Sequence, residues 1–155
     1  MWIKFLLCGL IIAFCIALGY LAAEKYRSRR NFYAQFSSFN ERYLGELSYA
    51  RKPIENFLDT YEYTGDFRKT IEAVRRHEGE LPKLNYLTEE ERRECIDYFS
   101  MLGRGDSGSQ SAFFSTKKSV LVEKKGATEA EAKHRSNLYI KLGLLAGLAF
   151  VILII

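Results

Sequence analysis

The chain has 155 residues, of which 48% are hydrophobic and 27% are charged, and its formal net charge is +4. This length supports one domain with a core of its own. The modest positive charge, without a basic motif interleaved with aromatic residues, gives no indication of nucleic-acid binding. The charge is unevenly placed, because residues 5–23 and 142–155 contain no charged side chain.

The N-terminal uncharged segment predicts a transmembrane helix. As a helix, residues 5–23 would rise about 28 Å, close to the ~30 Å thickness of a hydrocarbon core. We therefore assign residues 1–24 to an N-terminal membrane helix. The alternative is a cleaved signal peptide with Lys4 as its basic region and Leu21-Ala22-Ala23 as its cleavage site. This cleavage site is poor, so we expect the helix to be retained as an anchor.

The C-terminal segment, residues 138–155, predicts a second membrane helix. Its one charged residue is Lys141, which can extend its ammonium group toward the membrane surface. Gly143 and Gly147 form a GxxxG pattern, and a row of small residues also recurs in the first segment at Gly9, Ala13 and Ala17. Such rows permit close helix approach, so we expect the spans to pack together or against partner spans. The alternative is ordinary use of small residues in membrane helices.

The basic residues predict the orientation. Residues 24–52 and 117–141 contain seven Lys or Arg residues each, whereas Lys4 is the basic residue at the other ends of the spans. The positive-inside rule then places a central domain, residues 25–137, in the cytoplasm. These basic juxtamembrane segments are also expected to attract anionic lipid. Cys95 is alone in the central domain and Cys8 and Cys15 lie in the first span, so we expect no disulfide within the domain.

The central domain shows helical periodicity throughout and no sustained alternation with period two. The predicted fold is all-α: a cytoplasmic helical bundle flanked by an N-terminal and a C-terminal transmembrane helix. The residues predicted to face its core are Phe32, Phe36, Phe39, Tyr43, Leu47, Ile54, Phe57, Leu58, Tyr61, Phe67, Ile71, Val74, Cys95, Ile96, Tyr98, Phe99, Leu102, Phe113, Phe114, Val120 and Leu121.

Local signals predict where the helices begin and end. The first helix should end near Arg51-Lys52, and Pro53 suits the first turn of the second. Asp66 is predicted to cap the third helix and Gly79 to stop it. Thr88 and Glu91 form a capping box at the start of the fourth helix, and Gly103 is a C-terminal stop.

Residues 103–110, GRGDSGSQ, favour several functions at once. GDSG resembles the nucleophile segment of a trypsin-like serine protease, RGD is an adhesion tripeptide, and a Gly/Ser-rich segment before a helix can bind phosphate. A protease would need a histidine base and an acid, and the chain's two histidines, His77 and His134, lie in no such motif. We therefore predict a turn between two helices, in which Asp106 and Ser107 cap the second helix. No catalytic, cofactor-binding or metal-binding set is predicted.

Four segments in order resemble the stage III sporulation protein AB family of endospore-forming bacteria. The first is the N-terminal span with its basic segment, here Lys25-Tyr26. The second is ELSYARKPI, residues 46–54, which matches E-[IL]-x-Y-x-x-x-P-[LI] at Glu46, Tyr49 and Pro53. The third is Tyr98, Leu102-Gly103, Asp106 and Gln110, which resembles aromatic-x-x-x-L-G-x-x-D-x-x-x-Q, with Tyr98 where Phe is expected. The fourth is LGLLAG at residues 142–147.

The resemblance implies a membrane scaffold of the secretion-like complex between mother cell and forespore. The family is similar in its cytoplasmic domain to the platform protein F of type II secretion and type IV pilus systems. Its expected partners are a secretion-type ATPase, other membrane channel components and, in a homo-oligomer, further copies of itself. It would lie in the mother-cell membrane around the forespore. The alternatives are a membrane-anchored hydrolase that uses Ser107 and an externally displayed adhesin.

Overall fold

The computed structural model describes residues 2–49, 53–78 and 80–154. These residues form five helices and no strand, so the predicted all-α fold is confirmed. The helices are α1 Trp2–Tyr49, α2 Ile54–Thr60, α3 Gly65–Arg75, α4 Glu89–Ser100 and α5 Ser107–Ile154. The chain divides into two compact units: Met1–Arg27 with Thr128–Ile155, here the helix pair, and Ser28–Ala127, here the helical domain.

The core of the helical domain is built on one aromatic face of α1. Phe36 and Phe39 are 3% and 0% exposed, and their rings meet rings from α2, α3 and α4. Phe36 lies 5.7 Å from Phe67 and Phe39 lies 5.4 Å from Phe57, measured between ring centroids. The spacing of three and four residues that predicted this helix therefore also predicted its buried face.

A polar side chain crosses this apolar core. Asn40 is 1% exposed; its amide donates to the Phe114 carbonyl at 3.1 Å, and its side-chain oxygen accepts from the Tyr98 hydroxyl at 2.8 Å. The buried Tyr98 hydroxyl thereby has a hydrogen-bond partner. These bonds tie α1 to α4 and α5, and a buried amide without them would cost about 1–3 kcal/mol.

Several helix ends differ from the sequence predictions. The capping box of Thr88 and Glu91 is confirmed. Asp66, however, lies inside the first turn of α3, because the helix already begins at Gly65 and its N-cap is Thr64. The Asp66 carboxylate accepts instead from Lys69 and Tyr86, both at 2.9 Å. Pro53 stands one position earlier than predicted, as the N-cap of α2.

The C-terminus of α3 is closed by a histidine. The Glu78 N–H donates to the Ala73 carbonyl at 3.0 Å and the His77 N–H donates to the Val74 carbonyl at 3.1 Å, which together form a Schellman motif. His77 therefore takes the left-handed conformation, with φ of 52°. The predicted stop at Gly79 and the predicted end of α1 at Arg51-Lys52 lie outside the described residues.

Two predicted core residues are exposed instead. Ile96 is 37% exposed and Val120 is 40% exposed. Each follows or precedes a buried residue by one position, Cys95 and Leu121, and a one-residue step turns a side chain by about 100° around a helix. The apolar runs therefore predicted a buried helix face that is one residue wider than the face in the structure.

In the helix pair, α1 and α5 run antiparallel and touch through glycines. A Cβ atom added to Gly19 would lie 2.5 Å from the Tyr139 carbonyl oxygen, and one added to Gly143 would lie 2.6 Å from the Cys15 carbonyl oxygen. At Gly147 the same atom would lie 3.1 Å from the Ile12 Cα. Only residues without a side chain permit this backbone approach.

The second row of small residues does not take part in this contact. Gly9 has nothing within 4 Å of an added Cβ, and Ala13 and Ala17 are exposed. Gly19 is a small residue of α1 that does contact α5, and the sequence pattern missed it. By length and composition, α1 and α5 are the two described helices that could cross a membrane.

The bond between Asn40 and Tyr98 predicts a measurable coupling. Asn40→Leu and Tyr98→Phe should each cost about 1–3 kcal/mol of folding stability, because each leaves a buried polar partner unsatisfied. The double variant should cost less than the two single costs combined, since it removes both groups together. Equilibrium denaturation of the four proteins checks this, and strictly additive costs would show that the bond contributes nothing.

Candidate functional site

Five residues singled out in the sequence line one surface cleft of the helical domain: Glu46, Pro53, Gly103, Ser107 and Gln110. Its volume is about 540 Å³, and we call it the motif cleft. The cleft lies where the end of the α1 segment, the start of α2 and the α4–α5 turn meet. Its lining residues are Tyr43, Glu46, Leu47, Pro53, Ile54, Glu55, Gly103, Gly105, Ser107 and Gln110.

Motif residues that are far apart in the chain meet in this cleft. Glu46 and Pro53 come from the ELSYARKPI segment, and Gly103, Ser107 and Gln110 come from the GRGDSGSQ segment. About fifty residues separate the two segments, yet α1 brings them together because its aromatic face packs against both α2 and α5. The cleft is thus the place where the ELSYARKPI and GRGDSGSQ segments form one surface.

Tyr43 fixes the wall of the cleft. Its hydroxyl donates to Gln110 Oε1 at 2.5 Å and accepts from the Gly103 N–H at 3.2 Å. Burial raises the pKa of Tyr43 above the ordinary phenol value of 10.0, so the hydroxyl remains a donor at neutral and at mildly alkaline pH. Gln110 is 6% exposed, and its amide also donates to the Gly105 carbonyl at 3.4 Å. A single phenol thereby holds the turn against α5.

Sequence reasoning placed Tyr43 in the core and missed this second role. The signal available was a tyrosine at the end of a row of phenylalanines. A buried tyrosine usually needs a partner for its hydroxyl, so its position close to a turn could have indicated one.

The α4–α5 turn depends on two glycines. Gly103 and Gly105 have φ values of 70° and 85°, which residues with a side chain rarely adopt. Gly103 also lies where an added Cβ would be 3.4 Å from the Ile54 side chain. Leu102 precedes the turn as a partly buried residue packed against the core.

Asp106 closes the first turn of α5. Its carboxylate accepts from the N–H groups of Gly108 at 3.1 Å and Ser109 at 3.2 Å, and from the Ser109 hydroxyl at 2.5 Å. These bonds, first that of the Ser109 hydroxyl, lower the pKa of Asp106. Because the carboxylate already occupies these N–H groups, the helix terminus does not offer them to a phosphate.

Ser107 is the first residue of α5 and is exposed. Within the described residues its hydroxyl makes no hydrogen bond to an imidazole, and His77 lines a different cleft. The described residues also contain no group of three His, Cys, Asp or Glu side chains placed to hold a metal ion. The motif cleft offers carboxylates, backbone groups and an apolar wall, which are the elements of a binding surface.

The remaining motif residues lie elsewhere. Tyr98 is buried in the core, where it bonds to Asn40. Tyr49 is the last residue of α1, and its side chain lies outside the described residues. Gly143 and Gly147 belong to the helix pair, where they contact α1.

A comparison with known families identifies the chain. The model of the stage III sporulation protein AB family matches residues 4–155, which include both apolar helices and every residue of the motif cleft. The chain belongs to this family. Searches of the curated proteins and of the solved structures gave no match. As a member of the stage III sporulation protein AB family, it is a protein of the third stage of sporulation.

The cap at Asp106 predicts a pH dependence. The pKa of Asp106 is lowered in the folded state, so its stabilising effect is complete above the ordinary value of 3.8 and is lost as the pH falls through the lower folded value. Asp106→Ala should therefore lower the Tm at pH 7, and the difference from the wild type should shrink below about pH 4. Thermal melts across this range check it. A Tm difference that does not change with pH would show that the carboxylate charge has no part in the cap.

Proposed function

We propose that this member of the stage III sporulation protein AB family is a membrane scaffold of the secretion-like channel complex between mother cell and forespore. In this role it couples a cytoplasmic ATPase to the membrane channel. The proposal rests on family membership, on two helices suited to cross a membrane, and on the motif cleft.

The observation that carries the proposal is the convergence of motif residues on one surface. Glu46, Pro53 and Gly103 line a cleft that is open to a partner, and the buried Gln110 holds its wall through Tyr43. Glu55 and Ser107 are exposed at its edge, and Leu47 and Ile54 are partly buried in its wall. Such a combination of an apolar wall and a polar edge suits recognition of a protein segment.

Packing and hydrogen bonds within the helical domain support the walls of the motif cleft. Its aromatic core and the bonds of Tyr43 and Asn40 hold the walls of the cleft in one arrangement. A preformed surface spends little free energy on ordering itself when a partner binds. This favours a protein that binds its partner through a preformed surface over a protein that folds only when its partner binds.

Orientation and partners follow from the charge distribution and from the family. The lysines and arginines beside the two spans favour a cytoplasmic helical domain on the mother-cell side. The proposed partners are the secretion-type ATPase of the same complex and other channel components, with homo-oligomers as a further assembly. By analogy with platform protein F, the helical domain would bind near the ATPase.

We propose further that the protein acts without catalysis. Ser107 lies at the edge of the motif cleft without an imidazole partner among the described residues, and the neighbouring Asp106 carboxylate is bonded to the first turn of α5. A serine nucleophile needs a base within hydrogen-bond reach. The site therefore supports binding more than hydrolysis.

A bulky side chain at the edge of the cleft tests the scaffold role. Ser107→Trp should block the cleft, weaken partner binding about tenfold or more, and reduce the yield of heat-resistant spores. Ser115→Trp is the matched control, since Ser115 is also exposed on α5 but does not line the cleft. Ser107→Ala should leave the spore yield unchanged, because the scaffold does not use the hydroxyl.

Spore counts, with circular dichroism to verify folding, give the result. Normal sporulation with Ser107→Trp would contradict a role for the cleft. Loss of sporulation with a folded Ser107→Ala would instead support the hydrolase.

A further inference from the structure

The contacts of the helix pair fix the levels of its residues relative to each other. Gly19 lies against Tyr139 and Ile140, and Gly143 lies against Cys15 and Ile16. Interpolation between these contacts places Lys141 level with Ala17. At 1.5 Å per residue, this is about 10 Å inside the level of Glu24, the first charged residue after the uncharged segment of α1. Lys141 is exposed at that level.

The side chain of Arg27, which follows the uncharged segment of α1, extends back toward the level of that segment. Its guanidinium carbon lies 3.7 Å from the centre of the Tyr20 ring. Tyr20 lies two helical turns before Arg27, within the uncharged segment of α1. Its Nη2 donates to the Ser136 hydroxyl of α5 at 2.8 Å. The charge is therefore held beside the apolar segment instead of extending away from it.

Neither cation is neutralised within the described residues. Arg27 has a hydroxyl and a ring as partners but no carboxylate, and its Nη1, which is buried in the protein, makes no hydrogen bond. Lys141 has no ion-pair partner there either. Cations at this depth are costly unless an anion accompanies them. Arg27 is held near the boundary of the apolar region, and the stem of the exposed Lys141 is long enough to extend toward it, the level at which the phosphates of a bilayer lie.

Aromatic residues surround the same level. Tyr26 and Tyr139 stack with centroids 6.0 Å apart, Arg135 lies 5.8 Å from the Tyr26 ring centre, and Tyr20 is 52% exposed. Tyrosines with basic neighbours are typical of the membrane–water interface. The cations and the rings therefore mark one interfacial layer.

We propose that Arg27 and Lys141 form a binding site for the phosphate of an anionic phospholipid headgroup. Lys141 extends its stem from the apolar level, and Arg27 is preset by Tyr20 and Ser136. The lipid phosphate supplies the anion that the protein does not. This site requires insertion of both spans in a bilayer, and it does not depend on the scaffold role or on any protein partner.

Native mass spectrometry of the full chain, released from micelles that contain equal amounts of phosphatidylglycerol and phosphatidylcholine, tests the site. The wild type should retain phosphatidylglycerol over phosphatidylcholine. Lys141→Gln and Arg27→Gln should each reduce the retained phosphatidylglycerol about fivefold. Arg27→Lys keeps the charge and should retain most of the binding. Lys118→Gln, an exposed lysine of the helical domain, is the matched control and should have no effect.

The outcomes that would overturn the proposal are distinct. Equal retention of both lipids, or loss of phosphatidylglycerol in Lys118→Gln to the same degree, would show that no such site exists. Displacement of the lipid by excess inorganic phosphate would show that the site takes free phosphate. Release of the wild type from membranes by alkaline carbonate would overturn the insertion of the spans together with the site. Normal lipid preference in a protein that fails to bind any ATPase would leave the site intact and contradict the scaffold role alone.

Discussion

The helical domain depends on the aromatic face of α1. Rings on this face meet rings from every other helix of the domain: Phe57 of α2, Phe67 of α3, Phe99 of α4 and Phe114 of α5. Such rings each bury a large apolar area, and their edge-to-face contacts add directional preference. Because all helices are positioned against the same face, a change in its spacing would move the walls of the motif cleft as well. The same face thus determines both stability and the shape of the candidate site.

Helical periodicity predicted the elements well because burial of a single stripe follows directly from the sequence. It failed where one residue decides the outcome. The end of α3 is closed by His77 in a left-handed conformation, although glycine is the usual residue there. Asp66 resembles a cap but lies in the first turn and bonds to Tyr86. Local sequence patterns do not determine the residue at which a helix begins or ends, because tertiary contacts compete with the local capping interactions.

The cleft and the helix contact were harder to predict for a different reason. The motifs named Glu46, Pro53 and Gln110, but only the fold brings them to one surface. Each span carries a row of small residues that predicted close packing. The structure uses Gly143 and Gly147 of α5, but in α1 it uses Gly19 instead of the row at Gly9, Ala13 and Ala17. A pattern of small residues allows close contact but does not choose the face, since that depends on the partner helix.

In its proposed role, the motif cleft contacts a component of the sporulation complex. A photo-crosslinking amino acid at Glu55, which is exposed at the cleft, tests it most directly when the protein is expressed in sporulating cells. Lys83, which is exposed and does not line the cleft, is the control position. We predict that a secretion-type ATPase or a channel component is crosslinked at Glu55 and not at Lys83. Equal labelling from both positions, or no such component from either, would contradict the claim.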